Sequence, residues 1–207
     1  MKYTINDINR LVIDMPNGES HFGTNQEWFT SVWQRMAGCG PSTASNLLLY
    51  HGKSGRFEMP TVVKDQAGLI HLMEFAWKHI TPGMRGVNKT SMFYEGIDEM
   101  LESIDSDLRH VSLDIKRDKE QRPPLESVAL FIQAGLSSDS PVAFLNLDSG
   151  EVADLDDWHW MTAYALEYDD ASNTYTLSIS DNGTLQKIDL GLWLETTKLG
   201  GGFVYIA

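Results

Sequence analysis

The stretch Gln34-Arg-Met-Ala-Gly-Cys39-Gly-Pro41-Ser-Thr-Ala-Ser-Asn-Leu-Leu-Leu-Tyr50 holds the only cysteine of the chain, and it places that thiol where a helix should begin. Gly38 and Gly40 let the backbone turn sharply and approach a ligand closely. Pro41 suits the first turn of a helix, which has no intrahelical use for the N–H that proline lacks. The start of a helix also presents unpaired N–H groups and the positive end of the dipole. Both favour an anion, and the thiolate is the reactive form of cysteine. Ala44, Leu47, Leu48 and Tyr50 then recur at roughly helical spacing, predicting a buried central helix that holds the sulfur rigidly. Gln34, five residues before Cys39, could donate its side-chain amide to a developing oxyanion together with the Cys39 backbone N–H. The bland alternative is that a lone cysteine packs as a small hydrophobe. A catalytic reading therefore requires a histidine elsewhere.

Composition narrows the setting. A chain of 207 residues predicts one domain, residues 1–207, large enough to bury roughly 70% of its unfolded surface without staples. One cysteine allows no internal disulfide and no cysteine-rich zinc site, so a reducing compartment, the cytoplasm, is expected. The first seventeen residues lack the apolar core of a secretory signal, and no window approaches a membrane span. The formal net charge of −13 opposes nucleic acid and anionic lipid and leaves neutral or basic peptides as ligands. The expectations are a peptide or protein partner, no nucleic acid, no membrane insertion, no metal and no cofactor.

Along the chain, Leu11–Met15 reads as an N-terminal strand or extended arm, followed by a turn signal at Pro16-Asn-Gly18. Trp28, Phe29 and Trp33 read as core flanking the helix. Helices are predicted over Thr61–Thr81, Ser91–Asp105 and Leu125–Leu136. His71 and His79 lack the Glu spacing of a zinc helix. Val111, Leu113 and Ile115 alternate as an edge strand, and the charged run Lys116–Arg122 reads as a solvated loop dividing a mainly helical part, 1–122, from a mainly sheet part, 123–207. Strands follow at Pro141–Leu147, Trp158–Glu167, Thr174–Ser180, Thr184–Leu190 and Gly202–Ile206. Helices first and an antiparallel sheet second is an α+β order.

His159 opens the strand Trp158–Leu166. Alternation predicts that it shares a face with Met161, Ala163 and Ala165, whose small side chains would let a helix carrying Cys39 pack close, with Trp158 and Trp160 on the opposite face. Asp181 continues the Tyr175, Leu177, Ile179 face of the next strand and can reach the imidazole, fixing its tautomer. Asn182 is the alternative orienter, in the opposite phase. His21, His51 and His110 sit in weaker contexts.

The order Gln34, Cys39-Gly40-Pro41, His159 and Asp181 resembles that of papain-like cysteine peptidases, and looks closest to the bacterial branch that includes bacteriocin-leader-processing peptidases. The resemblance spans both parts of the chain through short motifs. It implies a papain-like α+β fold with Gln34 in the oxyanion hole, Cys39 as nucleophile, His159 as base and then acid, and Asp181 as orienter. The implied reaction is peptide hydrolysis. The same residues would serve a transglutaminase-like acyltransferase or an amidase, and a non-catalytic peptide-binding module would keep the fold alone.

Overall fold

The periods read from the sequence become elements with small boundary shifts. The protein's computed structural model describes residues 1–15 and 18–207, so Pro16 and Asn17 of the expected turn lie outside the described residues. Strands β1 (Lys2–Thr4), β2 (Val12–Asp14) and β3 (Ser20–Phe22) open the chain, followed by helices α1 (Val32–Ala37), α2 (Cys39–Lys53), α3 (Gln66–His79) and α4 (Thr90–Ser103). Strand β4 (His110–Ile115), helix α5 (Leu125–Ser137), strands β5 (Val142–Asn146), β6 (His159–Asp169), β7 (Thr174–Asp181) and β8 (Thr184–Asp189), helix α6 (Leu190–Thr196) and strand β9 (Gly201–Ile206) complete it. Asp65 caps α3 by accepting from Gly68 N at 2.9 Å, which starts that helix later than the predicted Thr61.

The main sheet is antiparallel, in the order β4-β9-β5-β6-β7-β8, and β1 extends the β5 edge of β6 by pairing with Ala165–Glu167. Two of its strands, β1 and β4, come from before residue 122. Strands β2 and β3 form a separate hairpin. The run Lys116–Arg122 is pinned rather than loose, since the Arg122 guanidinium donates to the carbonyls of Lys116, Arg117 and Leu194.

Side-chain alternation sends neighbouring strand residues into two cores. Ala143, Leu145, Trp160, Val204 and Ile206 pack with Leu47 and Leu48 of α2, Leu69 and Leu72 of α3 and Phe93 of α4. Val142, Phe144, Met161, Ala163 and Phe203 pack on the other face with Val128 and Ile132 of α5 and Trp193 of α6. Helix α2 is buried on every side from Cys39 to His51, beyond the single apolar stripe its sequence suggests. Its polar side chains find partners there. Asn46 Nδ2 donates to Thr162 Oγ1 at 2.9 Å while Asn46 Oδ1 accepts from Thr24 N at 2.8 Å, and Ser45 Oγ donates to the Pro41 carbonyl at 2.8 Å. His51 Nε2 meets Ser140 Oγ at 3.0 Å, and burial pushes its pKa down to about 4, so the ring is neutral inside the fold. Among the described residues no helix is long and apolar enough to cross a membrane.

Candidate active site

Cys39 is the first residue of α2, and only Gly38 separates it from α1. The junction leaves no room for a side chain. A Cβ on Gly38 would collide with the Gln34 carbonyl oxygen and lie 2.6 Å from the Phe29 ring, and one on Gly40 would lie 2.9 Å from Val87 Cγ2. The first-turn N–H groups of a helix have no intrahelical acceptors, and Pro41 supplies none at all, so the N–H groups at this end face outward from the helix. The sulfur borders an open cleft of about 560 Å³.

His159 begins β6, and its Nε2 lies 2.6 Å from Asp181 Oδ1 at the end of β7. Both side chains are about nine-tenths buried, at 8% and 11% exposure. Burial by itself would lower the ring's pKa. The hydrogen bond to Asp181, then the hydrogen bond and charge of Cys39, outweigh it and hold the pKa up at about 10. With Nε2 committed to the carboxylate, Nδ1 is the nitrogen left for the sulfur. The arrangement is an imidazole held between the Asp181 carboxylate and the Cys39 sulfur.

Three of the four residues expected at the site are therefore neighbours, and Gln34 is directed elsewhere. Its Oε1 accepts from Ser31 N at 3.3 Å in a capping box at the start of α1, and its Nε2 donates to Glu74 Oε2 of α3 at 2.8 Å. An amide committed to a carboxylate is not free to meet an oxyanion. Asn182, the alternative orienter, also takes another partner. Its Oδ1 accepts from Gln26 N at 3.1 Å and its carbonyl from Asn25 Nδ2 at 3.3 Å, while Phe22 N donates to the Gly183 carbonyl at 3.1 Å. The segment after β3 thus straps the β7–β8 turn that carries Asp181.

The face assignments in β6 need correction. Trp158 has φ 55°, outside the strand region, so alternation does not extend back to it. It lines the cleft. Trp160 is 2% exposed, stacks on Phe93 at 4.2 Å and donates to the Val87 carbonyl at 2.6 Å. Met161 and Ala163 do share the face opposite Trp160, but it packs in the α5 and α6 core instead of beneath α2, and a register shift between Ala163 and Ala165 ends the run. Helix α2 approaches β6 through Thr162. The aromatic residues before α2 divide as well: Phe29 is core, whereas Trp33, in α1, lines the cleft. Met84 and Arg85 also line it, from the loop between α3 and α4, and no pattern in the sequence singles them out.

The chain thus has an α+β fold with an antiparallel sheet, in which a helix-borne cysteine faces a strand histidine. Among solved structures the chain is similar to UfSP from C. elegans, with a TM-score of 0.56 and 10% identity over 100% of this chain and 34% of that one. This chain thus spans about a third of that protein's length, and the likeness carries the fold. No family model and no curated protein matches the chain.

Proposed function

We propose that the protein is a cysteine peptidase that hydrolyses peptide bonds through Cys39, His159 and Asp181. The observation that supports this most is the His159 ring lying between the Asp181 carboxylate and Cys39, where α2 opens onto the cleft. The Cys39 thiolate attacks the carbonyl carbon, and the oxyanion is met by backbone N–H groups at the start of α2. The His159 imidazolium gives its proton to the leaving amine. The neutral ring then takes a proton from water, and the hydroxide so formed releases the acid product and restores the thiolate. Asp181 keeps Nε2 occupied so that Nδ1 serves the sulfur. The likeness to bacterial bacteriocin-leader-processing peptidases rests on the sequence motifs, and without the Gln34 amide it rests on fewer of them.

The test is incubation of the full chain with a mixed peptide pool, reading new termini by mass spectrometry, with Cys39→Ala and His159→Ala alongside. Hydrolysis that both substitutions abolish is expected. Cleavage that survives Cys39→Ala refutes the reading. Added primary amines appearing in the products in place of water would assign acyl transfer instead.

A further inference from the structure

The cleft beside Cys39 has an unusual wall. Trp33 and Trp158 are each 46% exposed, Met36 is 72% exposed and Met84 is 97% exposed, and all four line the same space. Large apolar side chains gathered on one exposed surface mark a place where another molecule excludes water, and methionine adapts to varied shapes. Only one lining residue is charged, Arg85. It has no ion-pair or hydrogen-bond partner among the described residues.

The loop that carries Met84 and Arg85 is built to hold them there. Gly86 N donates to the Gly83 carbonyl at 3.0 Å, closing a tight turn with these two residues at its tip, and Gly86 takes φ 66°. Its root is fixed, because the Val87 carbonyl accepts from Trp160 and the Val87 side chain packs over Gly40 in the first turn of α2. A root anchored at the first turn of α2 keeps the loop, and Arg85 with it, at the cleft that Cys39 lines. The chain as a whole, at −13, repels acidic ligands at long range, yet the charged side chain lining the cleft is Arg85, because His159 is already paired with Asp181. Short-range recognition there is of an anion.

Resting on the peptidase reading, we infer that Arg85 is a specificity-determining residue and that the substrate is a peptide offering a carboxylate next to a bulky apolar side chain. The apolar group lies against Trp33, Met36, Met84 and Trp158, and the carboxylate takes the guanidinium in a charge-assisted pair. The carboxylate can belong to an Asp or Glu side chain or to a chain terminus.

The test uses the full chain and fluorogenic peptides with a common leucine-containing core that differ at one flanking position, Glu, Gln or Lys. A further pair differs only in ending as a free carboxylate or an amide. We expect the Glu peptide to exceed the Lys peptide about tenfold in kcat/KM, which is about 1.4 kcal/mol, and Arg85→Glu to invert that order. Raising the ionic strength should compress the difference. A preference confined to the free-carboxylate pair assigns the anion to the chain end. Equal rates for Glu and Lys together with no terminal preference, or an order that Arg85→Glu leaves intact, overturns the inference. Should no peptide be cleaved, binding to the Cys39→Ala protein, followed by tryptophan fluorescence, reads the same order. A Glu preference inverted by Arg85→Glu would then uphold the carboxylate site while the peptidase reading falls, and its absence would overturn both.

Discussion

Replacing Asp181 by alanine tests the electrostatic core of the site, because the state of His159 depends on it. The ring is 8% exposed and would titrate below the ordinary 6.5 if burial acted alone, yet Asp181 and Cys39 hold it up at about 10. A pKa raised on folding stabilises the fold fully below the unfolded value, near pH 6.5, and that stabilisation is lost as pH rises through about 10. The gap between those values corresponds to roughly 5 kcal/mol for the protonated ring, shared between its two partners. Removing one member of a buried pair typically costs about 3 to 5 kcal/mol, so Asp181→Ala should lose about 3 kcal/mol at neutral pH. Urea unfolding across this pH window should show wild-type stability falling with pH and a much flatter curve for Asp181→Ala. NMR titration of the imidazole, assigned with His159→Gln, should move the ring down to or below the ordinary histidine range. A wild-type ring titrating near 6.5, or a variant ring still titrating near 10, would refute the reasoning.

Three further outcomes follow from the geometry. Asn182→Gly keeps the left-handed turn at φ 46° but removes the acceptor of the Gln26 N–H, so urea unfolding should show a loss of about 1 kcal/mol. As a positioning residue behind Asp181, Asn182 should affect kcat more than KM, and an unchanged kcat would show that the strap is only structural. Gly38→Ala, which meets the Gln34 carbonyl and the Phe29 ring, should lower stability by about 1 to 3 kcal/mol, measured as a fall in Tm. Gln34→Ala removes a helix cap and the Glu74 contact, an expected cost of about 1 kcal/mol in stability with kcat changed less than tenfold. A fall in kcat of about 100- to 1,000-fold would instead show that its amide leaves Glu74 to serve the oxyanion.

Local signals carried much of this fold. Gly38, Gly40 and Pro41 announce a helix start because their effect is on the backbone beside them, and α2 begins at Cys39. The apolar runs of β5, β6, β7 and β9 appear within a residue or two of their expected bounds, since strands buried on both faces are apolar along their length and are bounded by turn residues. Asp181 lies in phase with Ile179 and meets His159 for the same reason.

What neighbouring residues alone determined ends where a side chain has two possible partners. Gln34 could face the sulfur or α3, and Glu74, forty positions on, decides it. Asn182 could orient the ring or cap the strap, and the approach of Gln26 decides that. Alternation sends Ala163 and Thr162 to opposite faces, but which face meets α2 is set by packing between distant segments, and Trp158 enters the cleft because its backbone leaves the strand conformation. Periodicity and turn chemistry act within a few residues, so the sequence alone determined the longer elements and the order of Cys39, His159 and Asp181, while the short β1, β3, α1 and α6 went unannounced. The choice of partner for each polar side chain, and the gathering of Trp33, Met36, Met84 and Arg85 into one wall, arise from contacts between distant segments, which exist only once the chain has folded.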